Sequence, residues 1–331
     1  MNIGIIGCGL IGQKRALSIH AGDQLVACCD TNKDVLNAFI EKFNCNGFEN
    51  YKELIDNSDV NVVVVAVVNK YALSIISYAL SKKKHVLAEK PLGRNTKEAK
   101  EMVALAKYHN LILKTGFNHR FHPTVWQAKA MLDQGKIGKL MTIRARYGHG
   151  GRPGMEKEWR ASKDLCGGGE LLDQGVHIID LCHWFAGEIK TVFGKIATKF
   201  WNIEVEDNAF ALMESVSGVD IQFHVSWTNW KNIFSFELFG EDGYLRIEGL
   251  GGSYGPETLE FGLRKKEGGK PEIQFFDFPI EDFSWENEWL EFKDAISNKR
   301  EAIGSGDDGL YANRIIEAIY ISSGSKKLCQ L

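Results

Sequence analysis

Three polar residues on one predicted helix have the types and spacing needed for proton transfer. Asp173, His177 and Asp180 follow one another at intervals of four and three residues, so they should share one face of the helix. A histidine can exchange a proton near neutral pH, and a neighbouring carboxylate would orient its ring and raise its basicity. The surrounding residues are mostly apolar, so the stripe should need partners or a cavity.

Two other interpretations of this stripe remain open. A carboxylate–histidine–carboxylate set could bind a metal, although the sequence offers no further cluster of spaced ligands and no metal is expected. The stripe could also be a satisfied hydrogen-bond network that holds a core helix. The neighbouring Cys182 and His183 lie toward another face and are expected to pack.

A lysine in a constrained position supplies a second candidate group. The apolar run Val86-Leu87-Ala88 predicts a short buried strand, and Glu89-Lys90-Pro91 follows it directly. Pro91 restricts Lys90 to extended conformations and so gives its side chain a defined direction. An ammonium group placed there could stabilise an alkoxide or take part in proton transfer. The alternative is a solvated lysine in a loop.

The start of the chain carries a dinucleotide-binding pattern. Gly7-Cys-Gly9-Leu10-Ile11-Gly12 lies between a predicted strand and a predicted helix, where the glycines allow a tight turn, a close pyrophosphate and close helix packing. Asp30 ends the next predicted strand, where a carboxylate would bind the ribose hydroxyls. Its charge would repel a 2′-phosphate, and Thr31-Asn-Lys33 offers no arginine clamp. NAD is therefore expected, with NADP disfavoured.

The pattern of apolar and polar residues along the chain predicts two domains that would position these groups. Short apolar runs alternate with amphipathic stretches up to about residue 118, which is typical of a parallel sheet covered on both faces. Residues 189–278 instead contain successive strand patterns and hairpin signals. We expect an α/β protein with a parallel N-terminal Rossmann sheet in residues 1–118. The residues after 118 should form a second domain built on an antiparallel sheet.

Composition excludes several classes of partner. The 331 residues are 44% hydrophobic and 25% charged, with a net charge of −3, so neither nucleic acid nor an anionic membrane is an expected partner.

The apolar run at the start has no basic region before it, and a signal peptide is not expected. Seven cysteines, none in C-x-x-C spacing, indicate reduced thiols and a cytoplasmic protein.

The chain resembles the glucose-fructose oxidoreductase / inositol dehydrogenase family (Gfo/Idh/MocA) along nearly its whole length. The resemblance rests on GCGLIG near the start, AEKP at 88–91 and GGGELLDQGVHIIDLCHWFAG at 167–187. It implies an NAD(P)-binding Rossmann domain in residues 1–118, followed by a substrate-binding and oligomerisation domain in residues 119–331. The open, mostly antiparallel sheet of this α/β domain often forms the oligomer interface, here of a homodimer or homotetramer. Members usually oxidise or reduce a hydroxyl carbon of a sugar, polyol or nucleotide sugar with NAD(P).

The same resemblance assigns roles to individual residues. Lys90 corresponds to the active-site lysine, which commonly precedes a cis-proline, and Asp173 with His177 to the paired acid and histidine, with His177 as proton acceptor. The implied cofactor contacts are Gly7, Gly9, Leu10, Ile11, Gly12, Asp30, Thr31, Asn69, Glu89 and Lys90. The implied substrate contacts are Lys90, Asn118, His119, Trp159, Arg160, Asp173 and His177, and the charge of the loop described next adds Arg152. The segment Val67–Ala72 departs from the family pattern and keeps only its asparagine, Asn69.

A charged loop bears on the substrate. Residues 149–163 carry several basic residues, including Arg152 and Arg160, against Glu156 and Glu158. A solvated loop is one interpretation; a cleft-facing loop would suit a phosphorylated or nucleotide-linked sugar, such as a UDP-hexosamine or hexuronic acid, better than an inositol or free sugar. An NAD-dependent glycosidase and a non-catalytic NAD or sugar sensor are the alternatives from other functional classes.

Overall fold

The computed structural model describes residues 1–19 and 22–331. Its α-helices are α1 (Leu10–Leu17), α2 (Lys33–Phe43), α3 (Tyr51–Asp56), α4 (Asn69–Ser81), α5 (Thr96–Tyr108), α6 (Pro123–Asp133), α7 (Lys163–Cys166), α8 (Val176–Ala186), α9 (Ser284–Asn298) and α10 (Gly306–Ser325). None of these described helices combines the length and apolarity that crossing a bilayer requires.

The first sheet is parallel and has the strand order of a dinucleotide-binding fold. Its strands in the described chain are β1 (Asn2–Ile6), β2 (Gln24–Cys29), β3 (Asn46–Phe48), β4 (Val62–Val65), β5 (His85–Ala88) and β6 (Leu113–Thr115). They lie in the order β3-β2-β1-β4-β5-β6, with each neighbouring pair parallel. This is the order of a Rossmann sheet, and all four valines of β4 are buried.

Helices cover both faces of this sheet, as continuous apolar strands require. Cys28 belongs to the apolar cluster on one face, which includes residues of α1, α2 and α9. Cys29 belongs to the cluster on the other face, which includes residues of α3, α4 and α5. Neighbouring residues of a strand point to opposite faces, so these two thiols are separated by the sheet.

The second sheet is open and mixed. Its described strands are β7 (Leu140–Gly148), β8 (Ile189–Ala197), β9 (Asn208–Ser215), β10 (Asp220–Ser226), β11 (Ile233–Gly240), β12 (Gly243–Glu248), β13 (Thr258–Leu263), β14 (Glu272–Asp277) and β15 (Cys329–Gln330). They lie in the order β14-β13-β12-β11-β7-β10-β9-β8-β15. The β7–β10 pair is parallel, and the remaining neighbours are antiparallel. The two sheets together confirm the predicted fold class.

The described chain divides into two compact units that are not contiguous in sequence. The first consists of Met1–Phe117, Asp164–Gly167 and Trp285–Asn313. The second consists of Asn118–Lys163, Gly168–Ser284 and Arg314–Leu331. The first unit therefore contains the parallel sheet together with α9, and the second contains the mixed sheet together with α6 and α8.

The helix predicted over 170–185 differs at its start. Residues Leu171–Gly175 form a π-helical turn, and the regular α-helix α8 begins only at Val176. Asp173 therefore lies in the wider turn while His177 and Asp180 lie in the α-helix. π-turns of this kind often occur at functional sites.

Candidate active site

The glycine-rich turn of the first unit is shaped by steric limits at two of its three glycines. Gly7 has a φ of +96°, and a Cβ there would lie 2.2 Å from the carbonyl oxygen of Ala66. A Cβ on Gly12 would lie 1.9 Å from the carbonyl oxygen of Gly7. Gly9 differs, because apart from its two chain neighbours no described heavy atom lies within 4 Å of its Cβ position. The turn is thus open at the glycine through which a pyrophosphate would approach the backbone.

Helix α1 begins directly after this opening. Gly9 is its N-cap and forms no side-chain cap, and Leu10 and Ile11 start the first turn. The first amides of a helix point outward along its axis and favour an anion. The residues present therefore fit a dinucleotide phosphate.

Asp30 is fixed beside the same turn. Its Oδ2 accepts a hydrogen bond of 2.9 Å from the backbone N–H of Cys8, and its Oδ1 accepts one of 2.9 Å from Asn32. Thr31 follows at an exposed position. Lys33 forms an exposed ion pair of 3.0 Å with Glu49, so the nearest lysine charge already has an anionic partner. This arrangement suits ribose hydroxyls better than a 2′-phosphate.

Lys90 lies at the same edge of the sheet as the glycine turn. Because β1, β4 and β5 are parallel neighbours, their carboxyl ends lie at one edge, and Lys90 follows β5 as Gly7 follows β1. The Lys90–Pro91 peptide bond is cis. The side chain of Lys90 is half-buried.

Glu89 is held by an ion pair with the buried Arg15. Its carboxylate accepts a hydrogen bond of 2.6 Å from Nε of Arg15 on α1, and the same guanidinium donates to Glu288 on α9 at 2.5 Å. Burial alone would lower the pKa of Arg15, but the carboxylates of Glu288 and Glu89 raise it. Burial raises the pKa of Glu288. The glutamate before the candidate lysine is therefore tied to the helix of the glycine turn.

Asn69 has a structural partner within the first unit. Its Nδ2 donates a hydrogen bond of 2.8 Å to the carbonyl oxygen of Cys166. Lys70 pairs with Asp164 at 2.5 Å, and Arg94 donates to the carbonyl oxygen of Asp164 at 2.8 Å. These contacts attach the short segment Asp164–Gly167 to the carboxyl edge of β4 and β5.

His177 is buried in the second unit against another histidine. The imidazole rings of His119 and His177 are stacked, with centroids 3.7 Å apart and planes 15° apart. His119 belongs to the 3-10 turn Asn118–Phe121. Asn118 Nδ2 donates a hydrogen bond of 2.9 Å to Ser284 Oγ, which anchors the turn.

The other two members of the polar stripe each pair with an arginine. Asp180 accepts two hydrogen bonds, of 2.8 Å and 2.6 Å, from the buried guanidinium of Arg120. Asp173 accepts a hydrogen bond of 3.2 Å from Arg160 Nε, and the Arg160 guanidinium lies 4.4 Å from the centre of the Trp159 ring. The bidentate pair makes Asp180 a structural residue, whereas Asp173 lies beside the charged loop.

Arg152 is paired on the surface of the second unit. Its guanidinium donates two hydrogen bonds, of 2.6 Å and 2.8 Å, to the carboxylate of Glu158. The side chain of Arg152 is 70% exposed. A phosphate at this position would have to compete with that carboxylate.

Three residues near His177 carry no signal in the sequence. The buried ring of Tyr147 lies 6.5 Å from the His177 ring and 5.0 Å from the Tyr254 ring. Gln174 Nε2 donates a hydrogen bond of 2.8 Å to the Tyr254 hydroxyl. Burial raises the pKa of Tyr147 well above its usual value and that of Tyr254 to about 12. Tyr147 looks like any core residue of an alternating strand, so only the fold reveals it.

Comparison with known proteins assigns the class that this fold and these residues define. Residues 1–117 match the family described as "Oxidoreductase family, NAD-binding Rossmann fold", and residues 125–246 match the "GFO/IDH/MocA C-terminal domain". The chain belongs to the Gfo/Idh/MocA oxidoreductase family, which confirms the family predicted from its motifs, and NAD is the cofactor of its Rossmann fold.

Individual relatives differ in what their names say they act on. A levoglucosan dehydrogenase of Pseudarthrobacter phenanthrenivorans is 29% identical over 60% of this chain and 54% of its own length. The chain therefore spans only about half of that relative. A dTDP-3,4-didehydro-2,6-dideoxy-alpha-D-glucose 3-reductase of Actinomadura kijaniata is 31% identical over 67% of each chain.

Solved structures share the whole fold. A levoglucosan dehydrogenase in complex with NADH and levoglucosan has a TM-score of 0.91 at 21% identity, covering 100% of this chain and 99% of the other. Identity at this level shows a common fold.

Proposed function

We propose that this protein is an NAD-dependent sugar dehydrogenase that transfers a hydride between the nicotinamide and a hydroxyl-bearing carbon of a sugar. The observation that carries the proposal is the position of Lys90 at the same sheet edge as the open turn at Gly9. Ligands of parallel α/β sheets bind at this edge. Bound NAD supplies the hydride acceptor or donor.

In the proposed mechanism the chain's own residues manage the proton and the developing charge. His177 accepts the hydroxyl proton. Asp173, which is held by Arg160, orients the imidazole ring of His177. The Lys90 ammonium stabilises the negative charge that develops on the substrate oxygen. Lys90 and His177 belong to different compact units, and their joint action on one substrate is part of the proposal.

The proposed substrate is an uncharged sugar. Two of the loop cations that favoured a nucleotide sugar, Arg152 and Arg160, pair with Glu158 and Asp173, so their charge is compensated. Relatives named for levoglucosan and for a dTDP-sugar show that both classes occur among similar proteins. A UDP-sugar or related nucleotide sugar is the second candidate substrate, favoured by the number of cations in the loop. Inositols are also included in the substrate screen described below.

The test is a substrate screen with paired variants. Free sugars, inositols and UDP-sugars are offered with NAD or NADP while NADH or NADPH absorbance is followed. Lys90→Met and His177→Asn should each lower kcat by about 10²- to 10⁴-fold, the contribution expected of a group in acid–base catalysis, with NAD affinity kept. Lys97→Met, at an exposed position of α5, is the matched control. Full turnover in either site variant would refute the assigned roles.

The same screen separates the alternative functions. Release of free sugar from a glycoside without net NADH would identify an NAD-dependent glycosidase. Binding of NAD and sugar without turnover would identify a sensor. A loss of at least tenfold in kcat/KM for a UDP-sugar, but not for its parent sugar, in Arg152→Met would restore the nucleotide-sugar assignment.

We also propose that the mixed sheet joins two or more copies of this chain. Phe193, Phe210 and Leu212 are 41%, 41% and 56% exposed and lie on neighbouring strands, with Phe193 opposite Leu212 and Phe210 opposite His224. Exposed apolar side chains grouped on one sheet face are typical of a protein interface. A second copy placing the same face against it would give a closed dimer.

A further inference from the structure

The stack of His119 on His177 brings two ionisable rings into direct contact. The ring centroids are 3.7 Å apart and the planes differ by 15°. His119 is 5% exposed and His177 is 4% exposed, so water screens the contact poorly. No spacing in the sequence links the two residues, which come from a 3-10 turn and from α8.

The ring of His119 is itself held in place. Asn118 uses its Nδ2 to donate to Ser284, so its Oδ1 is the atom that lies 3.2 Å from His119 Nδ1. An amide oxygen can only accept, so Nδ1 of His119 is the donor of this bond. Tyr147 and Phe234 contact the same ring at centroid distances of 5.3 Å and 5.9 Å. The plane of His119 is therefore fixed on several sides.

Charge around the pair comes from every neighbouring element of the second unit. The titratable and charged residues are His122, Arg120, Tyr147, Glu170, Asp173, Asp180, Tyr254 and Glu257. Arg120 pairs with Asp180, Arg160 with Asp173 and His122 with Glu257. Burial keeps the two tyrosines neutral by raising their pKa. Glu170 is buried at the start of the π-turn and interacts electrostatically with both tyrosines.

Two positive charges on the pair would repel each other strongly at this distance. Like charges in contact separate the protonation of two groups into two steps. A first proton on either ring therefore disfavours a second, and the other imidazole stays neutral to lower pH than an isolated histidine would.

We propose that His119 is a positioning residue for His177: the stacked His119 ring fixes the plane of the His177 imidazole, and His119 takes the first proton of the pair, which keeps the His177 imidazole available as a base. The proposal rests on the proposed function only for the role of the base, because the stack and its coupled titration exist without any substrate. His119 acts through His177 and transfers no proton to the substrate.

Two substitutions separate the effect of the ring from the effect of its charge. His119→Phe keeps a stacking ring and removes the charge, whereas His119→Gln removes both and keeps an amide to bond Asn118. His183→Asn, also on α8, is the matched control. The titration of His177 is followed by NMR of ¹⁵N-histidine-labelled protein, with the signal assigned from His177→Asn. The acid limb of kcat/KM against pH is measured in parallel.

The expected result is a shift of the His177 titration midpoint to higher pH by about 1 unit in both His119 variants, the size of effect that removal of a neighbouring like charge produces. The acid limb of kcat/KM should move by the same amount, and kcat should fall further in His119→Gln than in His119→Phe. His183→Asn should change neither midpoint.

Other outcomes would overturn the inference or the proposed function separately. An unchanged His177 midpoint in a folded His119 variant would overturn the inference, and a lower kcat without any movement of the midpoint would assign His119 a packing role only. If the wild-type protein oxidises no sugar but the midpoint still moves, the proposed function fails while the coupled pair stands. Should His119→Phe not fold, His119→Gln alone decides the titration.

Discussion

Arg15 and Glu89 form a salt bridge of 2.6 Å that joins the helix after the glycine turn to the residue before Lys90. The Arg15 side chain is 2% exposed, and its second partner, Glu288, is completely buried. Lys114 is also buried and pairs with Glu291 at 3.0 Å. One network of charges thus links α1, the end of β5, β6 and α9, so the cofactor turn and the candidate lysine share a support.

Removal of the arginine should destabilise the protein strongly. Arg15→Met leaves the Glu288 carboxylate buried without its closest cation, and loss of one partner of a buried pair costs about 3–5 kcal/mol. Urea denaturation at neutral pH measures this cost. Arg152→Met removes an exposed pair with Glu158 and should cost less than about 1 kcal/mol. Equal losses in the two variants would show that the buried network contributes little.

Substitutions at two glycines of the turn should have separate effects, one on NAD affinity and the other on the free energy of unfolding. Gly9→Ala adds a methyl group to open space, so the free energy of unfolding should change by less than about 1 kcal/mol, while NAD affinity falls because the pyrophosphate needs that space. Gly12→Ala places a methyl group 1.9 Å from the Gly7 carbonyl oxygen and should cost about 1–3 kcal/mol. NAD titration and urea denaturation of both variants test this. Unchanged NAD affinity in Gly9→Ala would place the phosphates elsewhere.

Acid should destabilise the second unit through Asp207. Burial would raise the pKa of this carboxyl, but hydrogen bonds from Asn208 and from the backbone N–H groups of residues 199–201 lower it. The unfolded chain then binds more protons in acid, so the stabilisation is complete above the unfolded pKa of about 4 and is lost as pH falls through the folded value.

Asp207→Asn should therefore flatten the acid part of the stability curve. It should also cost about 1–3 kcal/mol at neutral pH, because the N–H donors around the buried Asp207 side chain lose their charged acceptor. Urea denaturation from pH 7 to the acid range gives both quantities. Asp220→Asn, at the exposed start of β10, should follow the wild-type curve; a wild-type acid slope in Asp207→Asn would contradict the assignment.

The proposed oligomer should depend on one apolar residue of the open sheet face. Leu212→Glu places a charge at a position 56% exposed and should shift the protein to monomers, because an unpaired charge is costly in an apolar interface. Light scattering after size-exclusion chromatography measures the mass. Val216→Glu, in the turn after β9, is the control and should leave the mass unchanged. A monomeric wild-type protein would end the proposal.

The sequence predicts those parts of the fold that depend on the spacing of residues close together in the chain. At Gly7 and Gly12 the turn has a stereochemistry that only glycine permits, and the continuous valines of β4 predict a strand covered on both faces. The three residues of β3 give too short a pattern to detect. The π-turn is likewise hidden, because a turn of five residues differs too little in periodicity from an α-helix. The spacing of Asp173 and His177 alone does not distinguish the two.

The side-chain pairs of the candidate site could not be predicted in this way, because they join residues far apart in the chain. The stripe of Asp173, His177 and Asp180 predicts a buried polar face, but not that Asp180 is held by Arg120 and His177 by His119. Nor does the composition of the charged loop show that Arg152 is paired with Glu158. Such partners are set by tertiary packing, which a single sequence does not display.

The last segment of the first unit has a consequence for the order in which the protein can form. Trp289 and Phe292 belong to the apolar cluster on one face of the parallel sheet, and Glu288 is the buried partner of Arg15. Domains often fold as they emerge from the ribosome, beginning at the N-terminus. Here residues 1–117, which are translated first, must wait for residues 285–313 before the core of their unit is closed. The mixed sheet can therefore complete its strands β7 to β14 while the nucleotide-binding unit is still unfinished.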